Sequence, residues 1–242
     1  MIKSKLKVNI YLDGASLSAI KKYQSSKYIK GFTTNPSLMR KENIKDYKKF
    51  ANSILKIDKK KPISFEVFAD KISEMKLQAE EISSWGENVY VKIPITNTKG
   101  ESTANLIKEL NKKKIKCNVT AIFTLKQFDQ VIKNNNTKTE NILSVFAGRI
   151  ADTGVDPEIM LKKMVSKLKR RKNFKILWAS TREILNIIQA NRVGCQIITV
   201  PYELFSKINL LDKNLTSYSL ETVKIFYEDA LKSNYKIDYK KI

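Results

Sequence analysis

Lys92 stands among apolar residues in Val89-Tyr90-Val91-Lys92-Ile93-Pro94. Side chains of an extended segment alternate faces, so Lys92 shares a face with Tyr90 while Val89, Val91 and Ile93 take the other. Burial disfavours the ammonium form of a lysine and frees an amine able to attack a carbonyl, the basis of Schiff-base catalysis. The plainer alternative is a lysine snorkelling from an edge strand to water. Two carboxylates take the same parity in other segments. Asp13 opposes Val8, Ile10 and Leu12, and Glu66 opposes Phe65 and Val67. Each suits proton transfer; as a pair they also suit a divalent cation, although the charge of an inward lysine competes with one. Asp13 also fits the N-cap of a following helix.

Arg149 and Arg182 each lie just past an apolar run, Arg182 directly after Ser180 and Thr181. Arginine, a hydroxyl and free helix N–H groups make a phosphate cradle; surface ion pairs are the alternative. Further groups repeat the parity. Ser64, Glu66 and Phe68 share a face, Asn118 and Thr120 oppose Cys117, Val119 and Ala121, and Ser144 and Phe146 oppose Leu143 and Val145. Trp178 and Ser180 oppose Leu177 and Ala179. Charged groups, an amide and hydroxyls that share one parity are expensive to bury without function.

The segments that hold these residues are short β-branched or aromatic runs at 8–13, 28–33, 63–68, 89–94, 115–123, 142–147, 175–180 and 196–200. Helical patterns lie between them, among them 71–85, 103–113, 157–172 and 182–191. Strands alternating with helices imply a parallel sheet, because parallel neighbours need crossover helices. Eight such units in 242 residues predict an α/β fold, a closed (β/α)8 TIM barrel forming one domain over 1–242. An extra C-terminal helix is expected at 219–232, with Leu220, Val223, Phe226 and Tyr227 at helical spacing. In such a barrel the inward polar groups converge on the C-terminal mouth, where barrel enzymes place their chemistry.

Composition narrows the chemistry. The chain contains no histidine, which excludes Ser-His and Cys-His nucleophile pairs and histidine metal sites. Acid–base work falls to carboxylates, lysine, tyrosine or water. Cys117 and Cys195 are far apart, each in an apolar run, and are expected to be buried free thiols in a reducing cytoplasm. The net charge of +22 comes from lysines spread over the whole chain, with runs at 59–61 and 112–114 expected at helix ends or loops. No nucleic-acid-binding signature accompanies them, so a solvated lysine-rich surface is expected rather than a nucleic-acid site. A positive field would also attract phosphorylated substrates. No apolar run approaches the ~18 residues of a membrane span, and 1–11 has no secretory h-region. A cytoplasmic protein without a membrane partner is expected.

One ordered set of segments resembles a known family. Gly31-Phe32-Thr33-Thr34-Asn35-Pro36-Ser37-Leu38 closely resembles the Thr-Thr-Asn-Pro signature of the transaldolase family, and Val91-Lys92-Ile93-Pro94 looks like the segment around its Schiff-base lysine. Asn118-Val119-Thr120-Ala121-Ile122-Phe123-Thr124, Ser144-Val145-Phe146-Ala147-Gly148-Arg149 and Ala179-Ser180-Thr181-Arg182 are similar to further family segments in the same order. Tyr11-Leu12-Asp13 and Ser64-Phe65-Glu66-Val67 fit as well.

The resemblance implies that Lys92 attacks the ketose carbonyl and that Asp13 takes the C4 hydroxyl proton as the C3–C4 bond breaks. It implies that Glu66 and Thr120 hold a water that relays protons. Asn35, Asn118 and Ser144 would bind the dihydroxyacetone hydroxyls, with Thr33 and Phe146 beside them, and Arg149, Ser180 and Arg182 would hold the phosphate. No metal or organic cofactor is implied, because the protonated imine is the electron sink. The implied activity is transfer of a dihydroxyacetone unit between sugar phosphates, as in the pentose phosphate pathway, with an aldolase releasing free dihydroxyacetone as the alternative. Glu66 and Phe146 lean toward transfer, since aldolase-like relatives tend to carry an amide and a tyrosine there. A homo-oligomer is the default expectation.

Overall fold

The computed structural model describes residues 6–133, 135 and 137–239. Its strands are β1 (Asn9–Asp13), β2 (Ile29–Thr33), β3 (Ile63–Glu66), β4 (Val89–Pro94), β5 (Cys117–Ile122), β6 (Asn141–Val145), β7 (Phe174–Trp178) and β8 (Ile197–Pro201). They close into a barrel in sequence order, and every pairing is parallel. Outside it run α1 (Leu17–Tyr23), α2 (Pro36–Lys41), α3 (Tyr47–Ile57), α4 (Ile72–Ser83), α5 (Ala104–Lys112), α6 (Leu125–Lys133), α7 (Ala147–Ala151), α8 (Pro157–Lys167), α9 (Leu185–Val193), α10 (Tyr202–Phe205) and α11 (Leu215–Lys232).

Local chemistry starts several of these helices. Ser16, Asn35, Asp46 and Asp156 each cap the helix that follows with a side-chain oxygen, and Pro36 and Pro157 open α2 and α8, where no N–H is needed. Ser16, not Asp13, caps α1, so the capping alternative for Asp13 falls away.

Period-two alternation splits the core. Ile63, Phe65, Val91, Ile93, Val119, Leu143 and Val145 are fully buried against the helices. A smaller cluster fills the barrel itself: Tyr11, Tyr90, Ile142, Leu177, Ala179 and Ile197, with Phe146 against it. Each fully buried Val, Leu, Ile or Phe among these stabilises the fold by roughly 1.5–3 kcal/mol relative to exposure. The Tyr11 ring needs Gly31 opposite, because a Cβ there would lie 2.6 Å from the ring.

Two expectations are corrected, and β5 carries an irregularity that alternation does not show. On β7 the parity is reversed. Ile176 and Trp178 join the outer core, whereas Leu177 and Ala179 face the barrel interior. On β3 the strand ends at Glu66, and Phe68 is exposed instead of inward. The N–H groups of Phe68 and Ala69 go to the Gln78 side chain instead of to a strand. On β5 one extra residue separates Val119 from Ile122 relative to β6, and Ala121 takes φ 59. This bulge turns Ile122 outward, where simple alternation would have put it beside Asn118 and Thr120.

The lysine runs do lie at a loop after α3 and at the end of α5. Cys117 and Cys195 are buried free thiols, each pushed up to about 12 by burial. The C-terminal helix is present, but none of its residues is buried, and Leu220, Val223, Phe226 and Tyr227 are exposed. Among the described residues, no helix is long and apolar enough to cross a membrane.

Candidate active site

At the C-terminal ends of the strands lies a cavity of about 170 Å³. Its lining includes Asp13, Thr33, Asn35, Lys92, Asn118, Thr120, Ser144, Phe146, Arg149, Ser180 and Arg182. Of the site residues read from sequence, only Glu66 is outside the lining, and it touches the cavity's lysine. A larger, shallower groove of about 770 Å³ lies alongside, lined by Met39, Tyr47, Val67 and Met75 among others, and contains none of the charged candidates.

Lys92 is buried at the centre of β4. Its Nζ donates to the Thr34 carbonyl oxygen at 3.0 Å and lies 3.1 Å from Glu66 Oε2. The snorkelling alternative is excluded by this burial, and the purely apolar surround expected for the lysine is interrupted by a carboxylate. Register brings the pair together: Glu66 on β3 lies directly beside Lys92 on β4. Tyr47 holds the backbone of Glu66 from outside, donating to its carbonyl at 3.0 Å and accepting from its N–H at 2.7 Å.

Asp13 ends β1 beside Thr33 on β2, whose hydroxyl donates to its carboxylate at 2.7 Å. Burial pushes the Asp13 carboxyl above the usual carboxylate range, against the pull of Lys92 and of the Thr33 hydrogen bond. A carboxyl raised in this way is suited to taking and returning a proton. Both acids therefore have partners other than a metal: Glu66 pairs with the lysine, Asp13 with a hydroxyl.

Asn118 sits between two hydroxyls. It donates to Ser64 Oγ at 2.9 Å and accepts from Ser144 Oγ at 2.7 Å. Thr120 Oγ1 is buried in the lining without a hydrogen-bond partner, a polar atom left open to a ligand. Asn35 caps α2 with Oδ1, which leaves its amide nitrogen available.

The far side of the cavity carries the positive charge. Arg149, on α7, stacks over the Phe146 ring at 5.4 Å, and that ring in turn lies 5.6 Å from the ring of Phe123. Arg182 is half-exposed and paired with Asp152 through two hydrogen bonds, of 3.3 and 2.5 Å. The surface ion-pair alternative thus describes Arg182 as it stands, although both arginines line the cavity. Ser180 also lines it despite the reversed parity of β7, because its backbone turns left-handed at φ 64. Gly148 fits tightly under this turn: its N–H donates to the Ala179 carbonyl at 3.2 Å, and a Cβ would lie 1.6 Å from the Ser180 carbonyl oxygen.

The sequence reading missed Thr199 on β8 and Tyr47. Thr199 lines the cavity and hydrogen-bonds the Thr33 hydroxyl. Its signal was present, a lone hydroxyl in an apolar strand, and parity along β8 would have found it. Tyr47 had no local signal, since its contact with Glu66 spans 19 residues.

Comparison with known proteins gives the family of the chain. Residues 10–241 match the family Transaldolase/Fructose-6-phosphate aldolase. A protein of Dehalococcoides mccartyi named "probable transaldolase" is 33% identical over 202 residues, 83% of this chain and 90% of that protein. Another of that name, from Caldicellulosiruptor saccharolyticus, is 32% identical over 229 residues, 94% of this chain and all of the other. Among solved structures, dihydrodipicolinate synthase from Rhodopseudomonas palustris superposes with a TM-score of 0.58 at 10% identity, over 93% of this chain and 80% of that one, a likeness of fold alone. The chain belongs to the transaldolase/fructose-6-phosphate aldolase family.

Proposed function

We propose that this protein is a transaldolase that moves a dihydroxyacetone unit from a ketose phosphate, fructose 6-phosphate or sedoheptulose 7-phosphate, to an aldose phosphate. The observation that carries the reading is a buried lysine, paired with one carboxylate, at the base of a cavity that holds a second carboxylate and two arginines. Lys92 adds to the C2 carbonyl, and loss of water gives a protonated imine. Asp13 takes the C4 hydroxyl proton. The C3–C4 bond breaks, C4 leaves as the aldehyde of an aldose phosphate, and the electron pair moves into the imine to leave an enamine. The enamine carbon then attacks the acceptor aldehyde, Asp13 returns its proton, and water releases the new ketose from Lys92.

Glu66, against the lysine nitrogen, and the unpartnered Thr120 hydroxyl serve the water that enters and leaves. Asn35, Asn118 and Ser144 bind the sugar hydroxyls, and Thr33 orients Asp13. Arg149, Ser180 and Arg182 take the phosphate, which replaces Asp152 as the partner of Arg182. The net positive charge of the chain attracts such anions to the protein. The exposed apolar side of α11 supports a homo-oligomer, to be checked by light scattering in solution.

A coupled assay with fructose 6-phosphate, with and without erythrose 4-phosphate, tests the activity. Turnover only with the acceptor is expected. Turnover without it assigns the aldolase that releases dihydroxyacetone, and turnover in neither case refutes the reading.

A further inference from the structure

We infer that Thr199 is a positioning residue for Asp13, acting through the hydroxyl of Thr33; the inference rests on the reading of Asp13 as the proton carrier. Three strands bring the groups together. Asp13 ends β1, and β1 pairs with β2 on one side and with β8 on the other. Thr33 is the register partner of Asp13 on β2, and Thr199 on β8 is the partner of Tyr11, two residues earlier on β1. Both threonines are buried, and both line the cavity.

Proton counting sets the direction of the chain. A threonine hydroxyl has one proton to donate and two lone pairs that accept. Thr33 donates to Asp13 Oδ1 at 2.7 Å. Its single proton is then committed, so the hydrogen bond between the two threonines has Thr199 as donor and Thr33 as acceptor. Among the described residues, the Thr199 hydroxyl has no other hydrogen-bond partner. The backbone of Thr199 is itself held, because Thr181 donates its hydroxyl to the Thr199 carbonyl at 2.6 Å. Thr199 therefore fills one acceptor position of Thr33, keeps its proton pointed at Oδ1 and leaves Oδ2 free for the substrate. Successive hydrogen bonds of this kind also strengthen one another in a buried setting.

The charged groups acting on Asp13 are Lys92 from β4, Glu66 from β3 and Glu203 from α10, while β2 and β8 contribute the two hydroxyls. A donor chain that stabilises the ionised carboxylate opposes burial and extends the range of pH over which Asp13 can act as a base.

Thr199→Val keeps the shape of the side chain and removes the hydroxyl. With free dihydroxyacetone as the probe, the variant is expected to form as much borohydride-trapped adduct as the wild type, since imine formation from it involves no C3–C4 cleavage and does not need Asp13. Its kcat for cleavage of fructose 6-phosphate with acceptor should fall on the order of threefold to tenfold at nearly constant KM, the effect of one hydrogen bond. The acid limb of its kcat profile should move upward by roughly half a pH unit. Thr199→Ser should restore both. Should the valine variant fail to fold, Thr199→Ala compared with Thr199→Ser carries the same test. A wild-type pH profile and kcat in the valine or alanine variant would overturn the inference, as would a serine variant equally impaired. Absence of a trapped adduct in the wild type would instead overturn the Schiff-base reading, and the inference with it.

Discussion

Removing the Arg182 side chain isolates the phosphate from the chemistry. Arg182 is half-exposed at the rim, and its guanidinium already makes two hydrogen bonds to Asp152. A charge-assisted hydrogen bond contributes roughly 1.5–3 kcal/mol. The exposure of the side chain and the need to release Asp152 argue for the lower end of that range. At about 1.4 kcal/mol per factor of ten, Arg182→Ala should lower kcat/KM for fructose 6-phosphate by on the order of tenfold, and by at most about 150-fold. Arg149 and Ser180 remain, so binding is weakened and not abolished. KM should carry most of the effect, with some loss of kcat where phosphate binding helps to place the reacting carbon. The assay compares fructose 6-phosphate with unphosphorylated fructose in both proteins. A handle for phosphate predicts a loss confined to the phosphorylated sugar. Equal losses for the two sugars would refute the reasoning and return Arg182 to a surface ion pair with Asp152.

Borohydride reduction in the presence of fructose 6-phosphate should place a dihydroxyacetone adduct on Lys92 and on no other lysine, and EDTA should leave activity unchanged; peptide mapping and a chelator titration check both, and strong inhibition by EDTA would revive a cation between Asp13 and Glu66. Phe146→Tyr should lower transfer and raise acceptor-independent release of dihydroxyacetone, because a hydroxyl on this ring gives water an anchor in the cavity; an unchanged ratio of the two rates in an active variant counts against it. Asp13→Asn should reduce kcat by about 10²–10⁴-fold and yet stabilise the protein at neutral pH. The folded carboxyl is raised, so the wild type loses stability as pH climbs from the unfolded value through the folded one, and the asparagine variant does not. Urea midpoints from about pH 4 to pH 8 should therefore diverge with rising pH, and a wild type more stable than the variant at pH 8 would contradict this.

Legibility in the sequence followed contrast between faces. On β4 the lysine interrupts an apolar run, so both the strand limits, Val89–Pro94, and the inward direction of Lys92 could be read directly. On β7 the residues Ile176, Leu177, Trp178 and Ala179 are apolar on both faces, and alternation alone carries no direction. Taking Ser180 as the inward marker then inverted the strand, because Ser180 reaches the cavity through a left-handed backbone and not through parity. The bulge at Ala121 was hidden for the same reason: an extra residue changes the face of all that follows without changing composition. Asp13 was legible as an acid at a strand end, but its relation to Thr33 and Thr199 depends on which strands become neighbours. The stripe on α11 was visible as a pattern, whereas its exposure depends on where the helix leaves the barrel.

The crowding of Gly148 under the Ser180 carbonyl has a mechanical consequence. The segment carrying Arg149 and the segment carrying Arg182 meet there through backbone alone, with no side chain to compress between them. They behave as two plates riveted there, and the Arg182–Asp152 pair ties them a second time at the rim. Every residue that has a Cβ would force the plates apart at that rivet. The spacing of the two backbone segments is therefore set by main chain, and the Arg149 and Arg182 side chains reach toward the cavity from that fixed base.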